Sequence, residues 1–251
     1  MSAVPSWTGS NYPTSSTSQG RLQHWLCGVN NKCVPVEPEN FTENINWRIF
    51  RIMAEFVEGF DFLAKLKNEV SVFGSARSSL SDPYYKIAKE LGFLCGKGGF
   101  TMVTGGGPGI MEAANWGAHE AGGESVGLDI ELPMEQRRNQ YVNRSMGFHY
   151  FFTRKVMLSA SAQAYVFFPG GFGTLDELFE IVTLIQTGKM SDQVPVILVG
   201  VEYWRPLLAW LTKYVYDEYH DISREDLAIF HLVDTAGEAY KIIKKTHERI
   251  L

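Results

Sequence analysis

The chain has 251 residues, 45% of them hydrophobic and 20% charged, enough for one α/β domain with a large core or two small domains. Its formal net charge is −5, and the body of the chain holds no Lys/Arg cluster longer than two residues. This argues against a nucleic-acid or anionic-membrane surface, either of which needs a basic stripe.

No apolar run approaches the ~20 residues of a membrane span. The N-terminus lacks the charged and apolar regions of a signal peptide. The three cysteines, sparse and odd in number, fit a reducing compartment, so a cytoplasmic protein is expected. Cys27 and Cys33 leave a local disulfide or half a metal site open. No Cys/His pair follows at zinc spacing, and no metal is expected. Cys95 lies in an apolar helical stretch and reads as core.

Residues 1–40, with "SWTGSNYPTSSTSQG", are Ser/Thr/Gly/Asn-rich and have no hydrophobic period. They read as a flexible or loosely docked tail, and residues 41–251 as a single domain. From Asn40 the pattern changes. Trp47, Phe50, Met53, Phe56/Val57, Phe60 and Leu63 recur at steps of three and four and mark one helical face. Arg48, Arg51, Glu55, Glu58 and Lys65 fall mostly on the other. Asn40 followed by Glu43 resembles a capping box. This long helix is expected to cover the sheet or a partner subunit.

Strand and helix signals then alternate. "EVSVFGS" is a strand, and "SDPYYKIAKELGFLCGKG" a helix with an Asp-Pro start and a glycine stop. "FTMVTGGGPG" is a strand running into a glycine loop, followed by the helix "IMEAANWGAHEAGG" and the strand "ESVGLDI". "LPMEQRRNQYVNRS" (132–145) reads as a polar loop, a lid or binding loop carrying Arg137, Arg138, Asn139 and Asn143. The helix "RKVMLSASA", the strand "QAYVFFPGG" and the helix "TLDELFEIVTLIQTG" come next. The strand "VPVILVG", the helix "YWRPLLAWLTKYVYDE", the strand "FHLVD" and a last helix close the chain. Short apolar strands between longer helices predict an α/β fold: a Rossmann-like, doubly wound parallel sheet with helices on both faces, preceded by the long N-terminal helix.

Two glycine loops, "TGGGPG" (104–109) and "PGGFGT" (169–174), each follow a strand and open a helix. That places both at the carboxyl ends of the strands, where open α/β sheets bind ligands. Glycine lets backbone N–H groups approach a ligand closely, and a helix N-terminus adds unpaired donors and partial positive charge. Together they predict a phosphate site on Gly105, Gly106, Gly107, Gly109, Gly170, Gly171 and Gly173, with Thr174 adding a hydroxyl. Neither loop has the Gly-Lys-Ser/Thr of a P-loop or the G-x-G-x-x-G of a dinucleotide fingerprint. Asp129 lies roughly twenty residues past the first loop, where a ribose-binding acid would sit. A dinucleotide therefore stays open behind a mononucleotide.

Glu177 follows Thr174 by about one helical turn, and Glu180 by another on the same face, so both are candidates to face the loop's ligand. Asp176 reads as serving the helix dipole alone. Arg154 and Lys155 open another helix, where the dipole disfavours cations, which points to an anion there. Ser75 and Arg77, after the first strand, should reach the same edge.

"GGGPGIMEAA", "TRKVML" and "PGGFGTLDE" together resemble the LONELY GUY family of nucleotide phosphoribohydrolases, many once labelled lysine decarboxylases. The family hallmark P-G-G-x-G-T-x-x-E is complete at Pro169, Gly170, Gly171, Gly173, Thr174 and Glu177, and the preceding Arg-Lys pair matches Arg154 and Lys155. The resemblance spans roughly residues 68–200. It implies hydrolysis of the N-glycosidic bond of a nucleoside 5′-monophosphate, with Arg154 and Glu177 as the catalytic pair. It also implies no cofactor and a homodimer or higher homo-oligomer. Cytokinin-activating members carry a tryptophan in the helix after the hallmark, where this chain has Leu184. AMP is therefore an expected substrate alongside a related purine or cytokinin nucleotide. The alternatives are a non-catalytic nucleotide-binding or carrier protein on the same fold, and a pyridoxal-phosphate decarboxylase using Lys155 or Lys189.

Overall fold

Seven parallel strands form the centre of the computed structural model, which describes residues 24–27, 33–36, 45–131, 138–160 and 162–249. The described residues divide between Ile49 and Phe50 into two units. In the first, β1 (His24–Cys27) pairs antiparallel with β2 (Cys33–Val36), Cys27 standing opposite Cys33. Helix α1 (Ile45–Leu63) begins there, and the Asn40/Glu43 capping box lies outside the described residues.

The second unit holds the sheet. Its elements are β3 (Glu69–Phe73), α2 (Pro83–Lys97), β4 (Thr101–Thr104), α3 (Ile110–Glu120), β5 (Ser125–Ile130) and β6 (Arg144–Phe148). They continue with α4 (Phe151–Ala160), β7 (Ala164–Phe167), α5 (Phe172–Gln186), β8 (Val196–Val199), α6 (Val201–Trp210), β9 (Phe230–Val233) and α7 (Ala236–Ile243). The strand order is β6-β5-β4-β3-β7-β8-β9. The chain winds outward from β3 in one direction, then returns to β7 and winds in the other. The order therefore reverses between β3 and β7, the kind of switch point at which ligands bind in open α/β sheets.

The central strands β4, β3, β7 and β8 are buried on both faces, as expected of a parallel sheet covered by helices. Alternate residues go to opposite layers. Tyr165, Phe167, Val196 and Leu198 pack with Leu63 of α1, Met157 and Leu158 of α4, and Leu178 and Ile181 of α5. Ala164, Val166 and Ile197 pack with Leu91 and Cys95 of α2, Ile110 and Ala114 of α3, and Ala239 of α7. Each fully buried large side chain contributes about 1.5–3 kcal/mol. Cys95 is fully buried, and burial pushes its thiol up to about 12, in keeping with a core role. Asp82 caps α2 by accepting from the Tyr84 N–H at 2.9 Å, with Pro83 in the first turn.

Several elements differ from the sequence expectation: the helix expected over "YWRPLLAWLTKYVYDE" is α-helical over Val201–Trp210 and continues as a π-helix over Leu211–Glu218. Arg144 and Ser145, taken as the end of a polar loop, instead open the edge strand β6, paired with β5 from Arg144 to Phe148. An edge strand is held by backbone pairing, so "RSMGF" needs no apolar alternation. In α1, Phe56, Phe62 and Leu63 reach the core, whereas Phe50, Met53, Val57 and Phe60 of the face expected to cover the sheet or a partner subunit are exposed on this chain. Glu55, assigned to the polar face, is instead buried. No helix among the described residues is long and apolar enough to cross a membrane.

Helices α2 and α3 touch through glycine. A Cβ on Gly117 would collide with the Lys89 carbonyl oxygen and the Phe93 nitrogen. Gly117→Ala is expected to lower stability by about 1–3 kcal/mol through overpacking. Urea unfolding should show a lower midpoint with an unchanged slope.

Candidate active site

The loop after β3 is tied to both glycine loops. The Ser75 N–H donates to the Pro169 carbonyl at 3.0 Å, and the Ile110 N–H donates to the Ser75 carbonyl at 3.0 Å. Gly109 makes the second contact possible. Its φ is +72°, and a Cβ there would collide with Ser75 and Ala76 backbone. The two glycine bends therefore flank one central loop on a common rim.

A buried polar network fixes the first bend from behind. The Thr104 hydroxyl accepts from the Gly106 N–H at 3.0 Å and donates to Asn115 Oδ1 at 2.6 Å. Asn139 Nδ2 donates to the carbonyls of Gly106 and Gly107 and to Asn115 Oδ1, all at 3.0–3.1 Å. Asn115 Nδ2 in turn donates to Ser125 Oγ at 2.8 Å. A network bonded at this many points rigidifies what it holds.

In front of the rim lies a cleft of about 730 Å³. Ser75, Arg77, Gly105, Arg154, Gly171, Gly173, Thr174 and Glu177 line it, as does Asp176. Its apolar wall comes from Phe73, Met111, Ile130, Phe151, Leu158 and Phe172. The other expected residues stand behind this surface. Gly106, Gly107 and Gly109 shape the first bend. The Gly170 carbonyl accepts from the Tyr203 hydroxyl at 2.6 Å. Lys155 and Glu180 sit beside Glu177 rather than on the cleft wall. Asp129 is paired with Arg138 and is absent from the wall, so a dinucleotide would lack its ribose acid. Arg137 lies outside the described residues. A shallower groove of about 400 Å³ runs between α2 and α3 past Phe93 and Trp116, away from the glycine loops.

The two helix starts differ. At α3, the Ile110 N–H is already used by Ser75. At α5, Gly171 is the N-cap and provides no side-chain cap, and the first backbone bond runs from the Leu175 N–H to the Gly171 carbonyl at 3.1 Å. The amides of Phe172, Gly173 and Thr174 thus have no intrahelical partner. Such a start has the donors to receive an anion. Arg77 is exposed on the same cleft and pairs with no carboxylate among the described residues.

Behind this helix start, α4 and α5 bring charges together. Arg154 Nε donates to the Leu128 carbonyl at 2.7 Å, anchoring the guanidinium at the end of β5. Burial pulls its pKa down from the ordinary value, opposed by the fields of Glu177 and Asp129. Glu177 Oε2 is buried and accepts no hydrogen bond among the described residues. Burial pushes Glu177 up to about 7, with Lys155 opposing the shift and Asp176 adding to it. Lys155 Nζ lies 2.8 Å from Asp176, 3.7 Å from Glu177 and 3.9 Å from Glu180. Burial works against its charge, but the Asp176 hydrogen bond and the three acids outweigh this and raise its pKa.

Two residues escaped the sequence reading. Asp176, assigned to the helix dipole, lines the cleft and pairs with Lys155. Glu55 of α1 accepts from the His149 N–H at 2.9 Å, the Tyr150 N–H at 3.4 Å and the Thr153 hydroxyl at 2.6 Å. It therefore caps the start of α4, the helix that carries Arg154. No local signal marks it, because its partners lie 94 to 98 residues away.

Comparison with known proteins bears on the family and the fold. The profile of the family described as "possible lysine decarboxylase" matches residues 111–243, just over half the chain. The cytokinin riboside 5′-monophosphate phosphoribohydrolase LOG3 of Arabidopsis thaliana is 26% identical over 182 residues, covering 71% of this chain and 81% of its own. An enzyme of the same name from Rhodococcoides fascians is 28% identical over 145 residues, covering 57% and 73%. Among solved structures, the structural-genomics protein TM1055 superposes with a TM-score of 0.53 at 27% identity, covering 71% of this chain and 99% of that one. The molybdenum cofactor carrier protein of Chlamydomonas reinhardtii shares the fold, with a TM-score of 0.53 at 21% identity, covering 71% and 97%.

Glu55→Ala leaves the α4 donors without their acceptor and is expected to destabilise the protein by about 1–3 kcal/mol. Chemical denaturation of the purified variant measures this loss.

Proposed function

The chain belongs to the LONELY GUY family, the one described as possible lysine decarboxylases, and from that premise we propose that it is a nucleotide phosphoribohydrolase. Its substrate is a nucleoside 5′-monophosphate, AMP or a related purine or cytokinin nucleotide. Its products are the free base and ribose 5-phosphate. The observation that carries this reading is Glu177, a cleft carboxylate with one buried oxygen that accepts no hydrogen bond among the described residues, beside an uncapped helix start.

The phosphate sits on the amides of Phe172, Gly173 and Thr174, with Arg77 contributing charge from the facing loop. Anchoring it there fixes the ribose relative to Glu177. As the glycosidic bond breaks, positive charge builds on the ribose. The Glu177 carboxylate stabilises that charge, orients the sugar hydroxyls or takes a proton from water. Water supplies the hydroxyl that ends on C1′ and the proton that ends on the base. Arg154 stays charged and is a poor general acid, so its part is to hold phosphate or the charge developing near the base.

Pyridoxal phosphate chemistry does not fit these residues. It needs a neutral amine for imine formation. Among the described residues no lysine lines the cleft, Lys155 is held charged by three acids, and Lys189 is exposed just past the end of α5. A non-catalytic carrier would use the same phosphate seat but has no need of an unbonded carboxylate beside it.

Glu177→Gln is expected to cut release of free base from AMP by about 100-fold or more. Wild-type kcat/KM should rise as pH passes upward through about 7, where Glu177 loses its proton. Equal rates in wild type and variant would remove Glu177 from the chemistry. Tight nucleotide binding with no ribose 5-phosphate formed by the wild type would favour the carrier.

A further inference from the structure

Lys155 sits among three acids of α5 at unequal distances, and the inequality is informative. It hydrogen-bonds Asp176 at 2.8 Å and stays 3.7 Å from Glu177, beyond hydrogen-bond reach. The side chains of Asp176 and Glu180 are 64% and 39% exposed, so water screens them. That of Glu177 is only 14% exposed, and there the lysine's field acts with least screening. The other charges facing Glu177 are Arg154 from α4, Asp176 and Glu180 from its own helix, and Arg77 across the cleft.

We propose that Lys155 is a positioning residue for Glu177: tethered by Asp176, it supports the ionised carboxylate through space without hydrogen-bonding it. The inference rests on the reading of Glu177 as the working carboxylate of the cleft. Too little support leaves a buried acid protonated at neutral pH. A direct lysine hydrogen bond makes a stable carboxylate that is a weak base. The tether to Asp176 holds the site between these limits.

The two neighbours of Glu177 should respond in opposite directions. In Lys155→Met, the acid limb of kcat/KM should move up by about one pH unit or more, with KM for AMP little changed. Lys155→Arg keeps the charge and should restore the limb towards wild type. In Asp176→Asn, an exposed change expected to fold normally, the lysine is free to close on Glu177. The limb should then move down, and kcat should fall. Carbon-13 NMR titration of the Glu177 carboxyl in the unliganded protein, assigned against Glu177→Gln, reads the same shifts without turnover. A Glu177 titration unmoved in Lys155→Met, or moved the same way in both variants, overturns the proposal. Unaffected base release by Glu177→Gln would instead overturn the hydrolase reading, while the NMR titration would still decide the lysine's role.

Discussion

The site depends on one short loop bonded on both sides. Ser75 donates to the second glycine bend through Pro169 and accepts from the first helix start through Ile110. These two backbone bonds link β4, β3 and β7 at their carboxyl ends, where the winding of the sheet reverses. Without them, the two bends would be separate turns. With them, Gly105, Ser75 and Gly171 share one cleft. The cost of exposing bare backbone is met locally, since the first bend is backed by Asn139, Asn115 and Thr104. Neither helix start has a side-chain cap, but the Ile110 amide of the first is taken by Ser75, whereas the first three amides of the second have no intrahelical partner.

Charge follows the same division. The proposed anion seat consists of backbone amides, which need no desolvated ions of their own. The ionised side chains stand one layer back, where α4 faces α5. Arg154 is pinned to the end of β5 and Lys155 to Asp176, so neither cation is free to neutralise Glu177 fully. Helix α4 is itself held by Glu55 from α1, a helix outside the resemblance that the glycine motifs carry. The placement of both cations therefore traces back to a carboxylate nearly a hundred residues upstream.

Much of this was legible in the sequence because it is local. Glycine loops between an apolar strand and a helix state their geometry in the backbone they require. Continuous apolar runs such as "VPVILVG" state burial on both faces. Edge strand β6 was not legible, because backbone pairing alone holds "RSMGF" in the sheet. The part of α1 that packs on the sheet was not legible because its apolar stripe is wider than that part, and Glu55 looks like any solvated acid. The Lys155–Asp176 tether was out of reach for a different reason. Both residues were noticed, but which way each points depends on how two helices pack, and no spacing within one helix encodes that.

The central claim is that the second glycine bend seats a phosphate whose sugar then meets Glu177. A crystal structure with ribose 5-phosphate bound tests it most directly. The account predicts phosphate oxygens ~3 Å from the amides of Phe172, Gly173 and Thr174, with the sugar hydroxyls against the Glu177 carboxylate. A phosphate bound elsewhere, or a sugar turned away from that carboxylate, would contradict it.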